Sequence, residues 1–234
     1  MNRNQRASLF FRAWLSVAAL GLIMGVLLFV GAGTLSYVQG WVYWIIFVGA
    51  SAWTTDYLIH HDPALLERRM RGGPFAEGRG AQRVIMTLAS VGFIGLIVVP
   101  ALDYRWGYPL RWTHTPFLVE CAGVALVCLG FLGIYAVYRV NTFASATVQV
   151  ADEQKVVTTG LYGWVRHPMY ATASLMLIGS PLTLGSWLGI AVFAVVVPTL
   201  IWRLLDEERL LKQTLAGYSA YCEQVRWRLI PYVF

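Results

Sequence analysis

The chain has 234 residues, 58% of them hydrophobic and only 13% charged, with eighteen bases against twelve acids. Soluble domains carry about a quarter charged residues, so this chain is excluded as an ordinary water-soluble globule, and disorder is excluded because it needs low hydrophobicity and high charge. The apolar excess must face lipid.

Crossing the hydrocarbon takes about 20 helical residues at about 1.5 Å each. Six stretches qualify or nearly qualify: Ala13 to Val30, Trp41 to Ile59, Val84 to Leu102, Phe117 to Tyr138, Met169 to Leu184 and Trp187 to Leu205. The fifth is short and broken by Pro181, and the sixth carries Pro198. Gly185-Ser186 joins these two into a tight hairpin, which either spans or is partly re-entrant. No stretch alternates as a membrane barrel strand does, so the expectation is an all-α polytopic bundle of about six helices. Cys121, Cys128 and Cys222 form neither a disulfide framework nor a zinc motif and read as packing residues.

The bases sort by loop. Arg3, Arg6 and Arg12 precede the first span. Arg68, Arg69, Arg71, Arg79 and Arg83 follow the second. Arg139, Lys155 and Arg166 lie between the fourth and fifth, and Arg203, Arg209, Lys212, Arg226 and Arg228 come at or after the end of the sixth. The alternate loops hold only Arg105 and Arg111. This bias predicts cytosolic N and C termini and cytosolic loops at 60–83 and 139–168. It also explains the net charge of +6 without nucleic acid. Tyr37, Trp41, Tyr43, Trp44, Tyr104, Trp106, Tyr108 and Trp112 read as an aromatic belt at the outer side. Residues 72–80, rich in glycine, read as a surface loop.

If the hairpin is antiparallel, its two polar ends meet. One end runs from Thr158 to Tyr170 through Arg166-His167-Pro168, and the other runs from Arg203 to Arg209 through Asp206-Glu207-Glu208. Pro168 suits a first helical turn, which puts Arg166 and His167 beside a helix N-terminus able to take an anion. The three acids are expected at a helix C-terminus, where the dipole disfavours them. Pairing of Arg203 with Glu207 and of Glu208 with Lys212 is one compensation. A ligand carrying both a carboxylate and positive charge is another.

Arg166-His167-Pro168-Met169-Tyr170, a hydrophobic stretch and then Glu207-Glu208 resemble the cofactor signature of the integral-membrane methyltransferases, the isoprenylcysteine carboxyl methyltransferases and phospholipid methyltransferases. The resemblance extends over Asn141-Thr142-Phe143, Val156 to Tyr162, Gly185-Ser186-Trp187, Gly217-Tyr218-x-x-Tyr221 and Arg226-x-Arg228-Leu229-Ile230-Pro231. Asp62 to Met70 resembles bacterial members. One position departs: the group often has glycine where Thr172 stands, which implies altered packing.

The resemblance implies two regions: 1–140 as four transmembrane helices with loop 60–83, and 141–234 as the cofactor-binding region with the hairpin and a cytosolic C-terminal lid. It implies S-adenosylmethionine bound on the cytosolic side, beneath a helical lid and open sideways to the bilayer. Gly160, Tyr162, Val165, Arg166, His167, Tyr170, Glu207 and Glu208 are its implied cofactor contacts. Arg203 and Glu207 are the candidate catalytic residues, Arg203 either pairing with Glu207 or orienting a substrate carboxylate. The acceptor is lipophilic, an isoprenylcysteine-like carboxylate or a lipid, in the inner membrane if the protein is bacterial. The alternatives are a phospholipid N-methyltransferase and a sterol-reductase-like enzyme using a nicotinamide cofactor. Displacement at a sulfonium mainly requires alignment and desolvation, so neither a nucleophilic triad nor a metal is needed. Asn141 reads as a helix terminator or site residue. His60, His61, Asp56 and Glu120 read as boundary residues, and Arg226 and Arg228 as contacts to the lid, headgroups or hairpin.

Overall fold

The computed structural model describes residues 3–107, 115–148 and 154–234. Tyr108, Arg111 and Trp112 of the sequence reading lie outside them. The described residues form an all-helical bundle: α1 (Arg3–Ala32), α2 (Val38–His61), α3 (Pro63–Met70), α4 (Gly80–Trp106), α5 (Phe117–Val140), α6 (Pro168–Thr183), α7 (Trp187–Thr214) and α8 (Tyr218–Gln224).

Local chemistry sets the helix starts. The Asp62 carboxylate accepts the Leu65 N–H at 2.9 Å and Pro63 follows, so α3 begins sharply. His167 occupies the cap position of α6 with Pro168 behind it. Gly185 turns at φ +76, and the Ser186 hydroxyl accepts from Gly189 N–H to start α7.

Five helices (α1, α2, α4, α5 and α7) are long and apolar enough to cross a membrane. The fifth expected span, α6, has 16 residues, about 24 Å of helix against about 30 Å of hydrocarbon. It lies against α5 through small residues. A Cβ on Gly179 would sit 2.8 Å from the Gly123 carbonyl oxygen, and one on Gly130 would sit 2.8 Å from Met176 Cβ. Close backbone approach of this kind packs helices where lipid supplies no hydrophobic drive. Thr172 is buried against Gly133 of α5 and its hydroxyl bonds the Pro168 carbonyl at 2.9 Å. The room that glycine would have left in α6 is thus found on α5.

The central core joins Met24 and Leu28 of α1, Tyr43 and Phe47 of α2, Ile97 and Ala101 of α4, and Val127 and Phe131 of α5. Outward side chains stay apolar, Leu22 being 70% and Val195 76% exposed, as lipid-facing helices require.

Two expectations are corrected. The last long helix does not stop near Leu205 but runs to Thr214. Residues 206–214 are good helix formers too polar for a hydropathy reading to include. Asp206, Glu207 and Glu208 are therefore interior to α7, away from the C-terminal end where the helix dipole would disfavour them. The 72–80 segment is not simply a surface loop: Phe75 is exposed, but Glu77 is 2% exposed.

Candidate active site

The open end of the hairpin brings Arg166 and Glu208 within 3.5 Å although 42 positions separate them. Glu208 is the hub of a buried ion cluster. It also lies 3.4 Å from His167 Nε2, 2.8 Å from Lys212 Nζ and 3.0 Å from Arg228 Nε. A buried carboxylate needs such partners to offset its lost hydration. The chain end completes the cluster. Arg166 N–H donates to the Trp227 carbonyl at 2.8 Å and His167 N–H to the Arg228 carbonyl at 3.0 Å. Backbone N–H groups of Arg228, Leu229 and Ile230 converge on the Phe234 oxygen, and the Arg228 guanidinium stands 5.2 Å from the Phe234 ring centroid.

Consecutive residues on a helix point about 100° apart, and Glu207 takes the other direction. It accepts a hydrogen bond from Tyr170 Oη. Tyr170 Oη in turn accepts from Arg203 Nε at 3.1 Å. Arg203 is spent on protein contacts: Nη1 donates to Glu77 at 3.0 Å and to Gln82 at 2.9 Å, and Nη2 to the Ala146 carbonyl at 2.8 Å. The expected Arg203–Glu207 pairing is thus replaced by an ion pair with Glu77, with Tyr170 standing between Arg203 and Glu207.

These groups border a cavity with about 870 Å³ of empty space, open solvent at its mouth included. Of the residues nominated from sequence, Tyr162, Arg166, His167, Tyr170, Arg203 and Glu207 line it. Gly160, Val165 and Glu208 do not. Gly160 makes the positive-φ turn that leads into the short 3-10 turn Gly160–Gly163. Val165 is buried behind it, and Glu208 sits behind Arg166 and His167. Asn141 lines the cavity and donates to Tyr162 Oη at 2.6 Å. Burial pushes the Tyr162 phenol up to about 12, aided by Glu207 and opposed by the Asn141 hydrogen bond, so it stays a neutral donor. Tyr218 and Tyr221 close the cavity from α8, and burial raises both phenols further.

Sequence reasoning missed one wall. Phe143, Ala144, Ser145, Thr147 and Val148 line the cavity, and side chains from distant elements hold the backbone of this stretch. Arg68 donates to the Thr142 carbonyl, Arg69 to Ala144 and Arg203 to Ala146, while Val148 N–H donates to Glu77. Alternate carbonyls of this irregular run are thus each taken by an arginine. Glu77 is the common partner of this run and of α7. Its only sequence signal is an isolated acid between Arg71 and Arg79 in a turn-rich stretch.

The donor set suits an amphoteric ligand. Arg166 is 7% exposed, lines the cavity and keeps a buried Nε with no partner. Glu207 offers a carboxylate on the same cavity. Residues 119–216 match the phospholipid methyltransferase family model. That stretch runs from α5 to the end of α7 and contains the Arg-His-Pro motif and both glutamates. The family belongs to the methyltransferase group that the motif resembles. Its members are membrane methyltransferases of lipid-like substrates that generally use S-adenosylmethionine. No curated protein matches the chain.

Proposed function

We infer that the protein transfers a methyl group from S-adenosylmethionine to a lipophilic acceptor at the cytosolic face of a membrane. One observation carries the reading: a cavity bordered by Arg166, His167, Tyr170 and Glu207 lies within the family-matched stretch. Arg166, with its spare buried donor, holds a carboxylate, and Glu207 with the phenols of Tyr162 and Tyr170 holds the cationic part. Glu208 holds Arg166 and His167 in position from behind. When bound, S-adenosylmethionine supplies a methyl group on an already activated sulfonium. The chain's own residues align the acceptor and exclude water.

The cytosolic assignment is supported by the bases. The starts of α1, α4 and α6, the ends of α2, α5 and α7, and helix α3 gather at the cavity end of the bundle. Leu9 and Ala13 pack with Leu65, Arg69 bonds Ala144, and Arg79 pairs with Asp206 at 2.6 Å. Sixteen of the eighteen bases belong to these segments, to the loops that join them, or to the stretch after α7. That arrangement also supports six passes, with α6 as a short one buried against its neighbours.

The occupancy of Arg203 favours an amine acceptor over a carboxylate one. A substrate carboxylate would compete with Glu77 and Ala146 for that guanidinium and would face the carboxylate of Glu207, whereas an amine acceptor meets neither conflict. An aminophospholipid fits this better than an isoprenylcysteine carboxylate.

Calorimetry of the detergent-solubilised protein with S-adenosylhomocysteine and with NADPH tests the cofactor. Binding of the first alone is expected, and binding of NADPH alone would establish the reductase alternative instead. Transfer of labelled methyl into a membrane extract, followed by analysis of the labelled product, identifies the acceptor. Label in a carboxyl ester would refute the amine reading.

A further inference from the structure

A second hollow adjoins the 142–146 wall and shares no lining residue with the cavity. It is an open groove with about 740 Å³ of empty space between α1 and α2, ending at α3 and the end of α5. Along the helices its sides are apolar, with Ala13, Val17, Leu20 and Leu58. Of the serine and threonine hydroxyls that also line it, those of Ser16 and Thr54 are satisfied by their own helices. Ser16 donates to the Arg12 carbonyl and Thr54 to that of Ala50, both at 2.9 Å. Back-bonded hydroxyls of this kind ask nothing further of a neighbour, so this part suits a hydrocarbon chain.

Its other end is cationic. The Arg69 guanidinium stands 5.0 Å from the Tyr138 ring centroid and donates to the Ala144 carbonyl at 3.0 Å. Neither contact neutralises its charge. Arg68 beside it likewise meets the Thr142 carbonyl and the Phe143 ring, and its Nε is buried without a partner. Among the described residues, neither arginine forms an ion pair. The acids nearby have other contacts, although one Asp62 carboxylate oxygen is buried without a hydrogen-bond partner. Glu67 pairs with Arg71 at 2.6 Å, Asp62 caps α3, and Asp56 lies 3.6 Å from His60. Arg12, preceding Ala13 on α1, adds to the positive surplus.

We propose that this groove holds one acidic membrane phospholipid, its phosphate on Arg69 and an acyl chain between α1 and α2. A basic pocket between membrane helices, at the level where the chain becomes polar, is the chemistry that selects anionic headgroups. A free phosphate would leave the apolar sides uncovered. A zwitterionic lipid would bring a second cation toward Arg12 and Arg69. Because Arg69 also holds Ala144, the lipid shares its anchor with a wall of the cavity.

Native mass spectrometry tests this on protein released from nanodiscs of equal phosphatidylglycerol and phosphatidylcholine with matched acyl chains. The wild type should retain one phosphatidylglycerol about tenfold over phosphatidylcholine, equivalent to about 1.4 kcal/mol. Arg69→Gln should reduce that ratio to about one, and Arg69→Lys should keep most of it. Ser51→Phe, which fills the groove from α2 without altering a charge, should lose the retained lipid. Equal retention of the two lipids by the wild type overturns the proposal, as does an unchanged ratio in both Arg69→Gln and Ser51→Phe. Displacement by inorganic phosphate at the concentration at which phosphatidylglycerol displaces itself would make it an anion site and not a lipid site. Retention of uncharged diacylglycerol as strong as that of phosphatidylglycerol would remove the headgroup from the argument.

Discussion

At its turn, the α6–α7 hairpin holds polar groups in hydrogen bonds with uncharged donors, and the acids there have no basic partner among the ion pairs of the described residues. Ser186 donates to Asp103 at 2.6 Å, Tyr37 to the Leu184 carbonyl at 2.6 Å, and Gln39 to Glu120 at 3.3 Å. At its open end the same two helices bury charges of both signs, Arg166, Arg203 and Glu208 with Glu77, around a cavity. Both ends are polar, so polarity alone does not separate scaffold from site. Opposed charges, empty volume and a spare buried donor do. Hydrogen bonds from uncharged donors fix the turn, whereas a cluster of opposed charges is stable only while every member keeps its counter-charge.

That contrast can be broken by substitution at each end. Glu208→Ala should have the largest effect, because it strands Arg166, His167 and Arg228 together. Removing one partner of a buried ion pair costs about 3–5 kcal/mol, and the exposure of Lys212 and Arg228 favours the lower figure. Thermal unfolding in detergent and S-adenosylhomocysteine titration should both register the loss. Unchanged stability would show that the cluster is not buried as described. Glu77→Gln comes next, at about 2 kcal/mol for the loss of hydrogen bonds to a charged partner. Hydrogen exchange should quicken in 142–148 but not at the hairpin turn, and uniform quickening would argue against a localised clasp.

Glu207→Gln keeps an acceptor for Tyr170 and removes the charge on the cavity wall. We expect under about 1 kcal/mol of destabilisation but about a tenfold weaker affinity for S-adenosylhomocysteine, near 1.4 kcal/mol. Full affinity would remove Glu207 from the binding set. The smallest effect on ligand affinity belongs to the turn. Ser186→Ala loses a cap worth about 1 kcal/mol together with the hydrogen bond to Asp103, and should leave ligand affinity untouched. A matching drop in affinity would mean that the two ends are mechanically coupled.

Much of the molecule is legible in its residues because the deciding forces are local. Apolar runs of helical length predict the long helices, and Gly185-Ser186 predicts the turn. Pro168 predicts the start of α6, and an antiparallel hairpin of matched arms then returns Glu208 to Arg166. Tyr162, Arg166, His167, Tyr170, Arg203 and Glu207 could be nominated from their motif. Hydropathy could not say where α7 ends, because its last nine residues are helical but polar.

The division of labour between Glu207 and Glu208 was not legible either. Adjacent identical residues differ only in which face of α7 meets α6, and the packing of those helices sets that face. The partner of Arg203 lies 126 positions away, in a glycine-rich stretch whose own chemistry suggests nothing but a turn. Spans, turn and motif are thus written in near-neighbour preferences that act before the chain folds. The cavity wall, held by arginines from α3 and α7, exists only once the bundle has assembled, because only burial makes an unpaired Glu77 or Arg203 costly enough to force the two together.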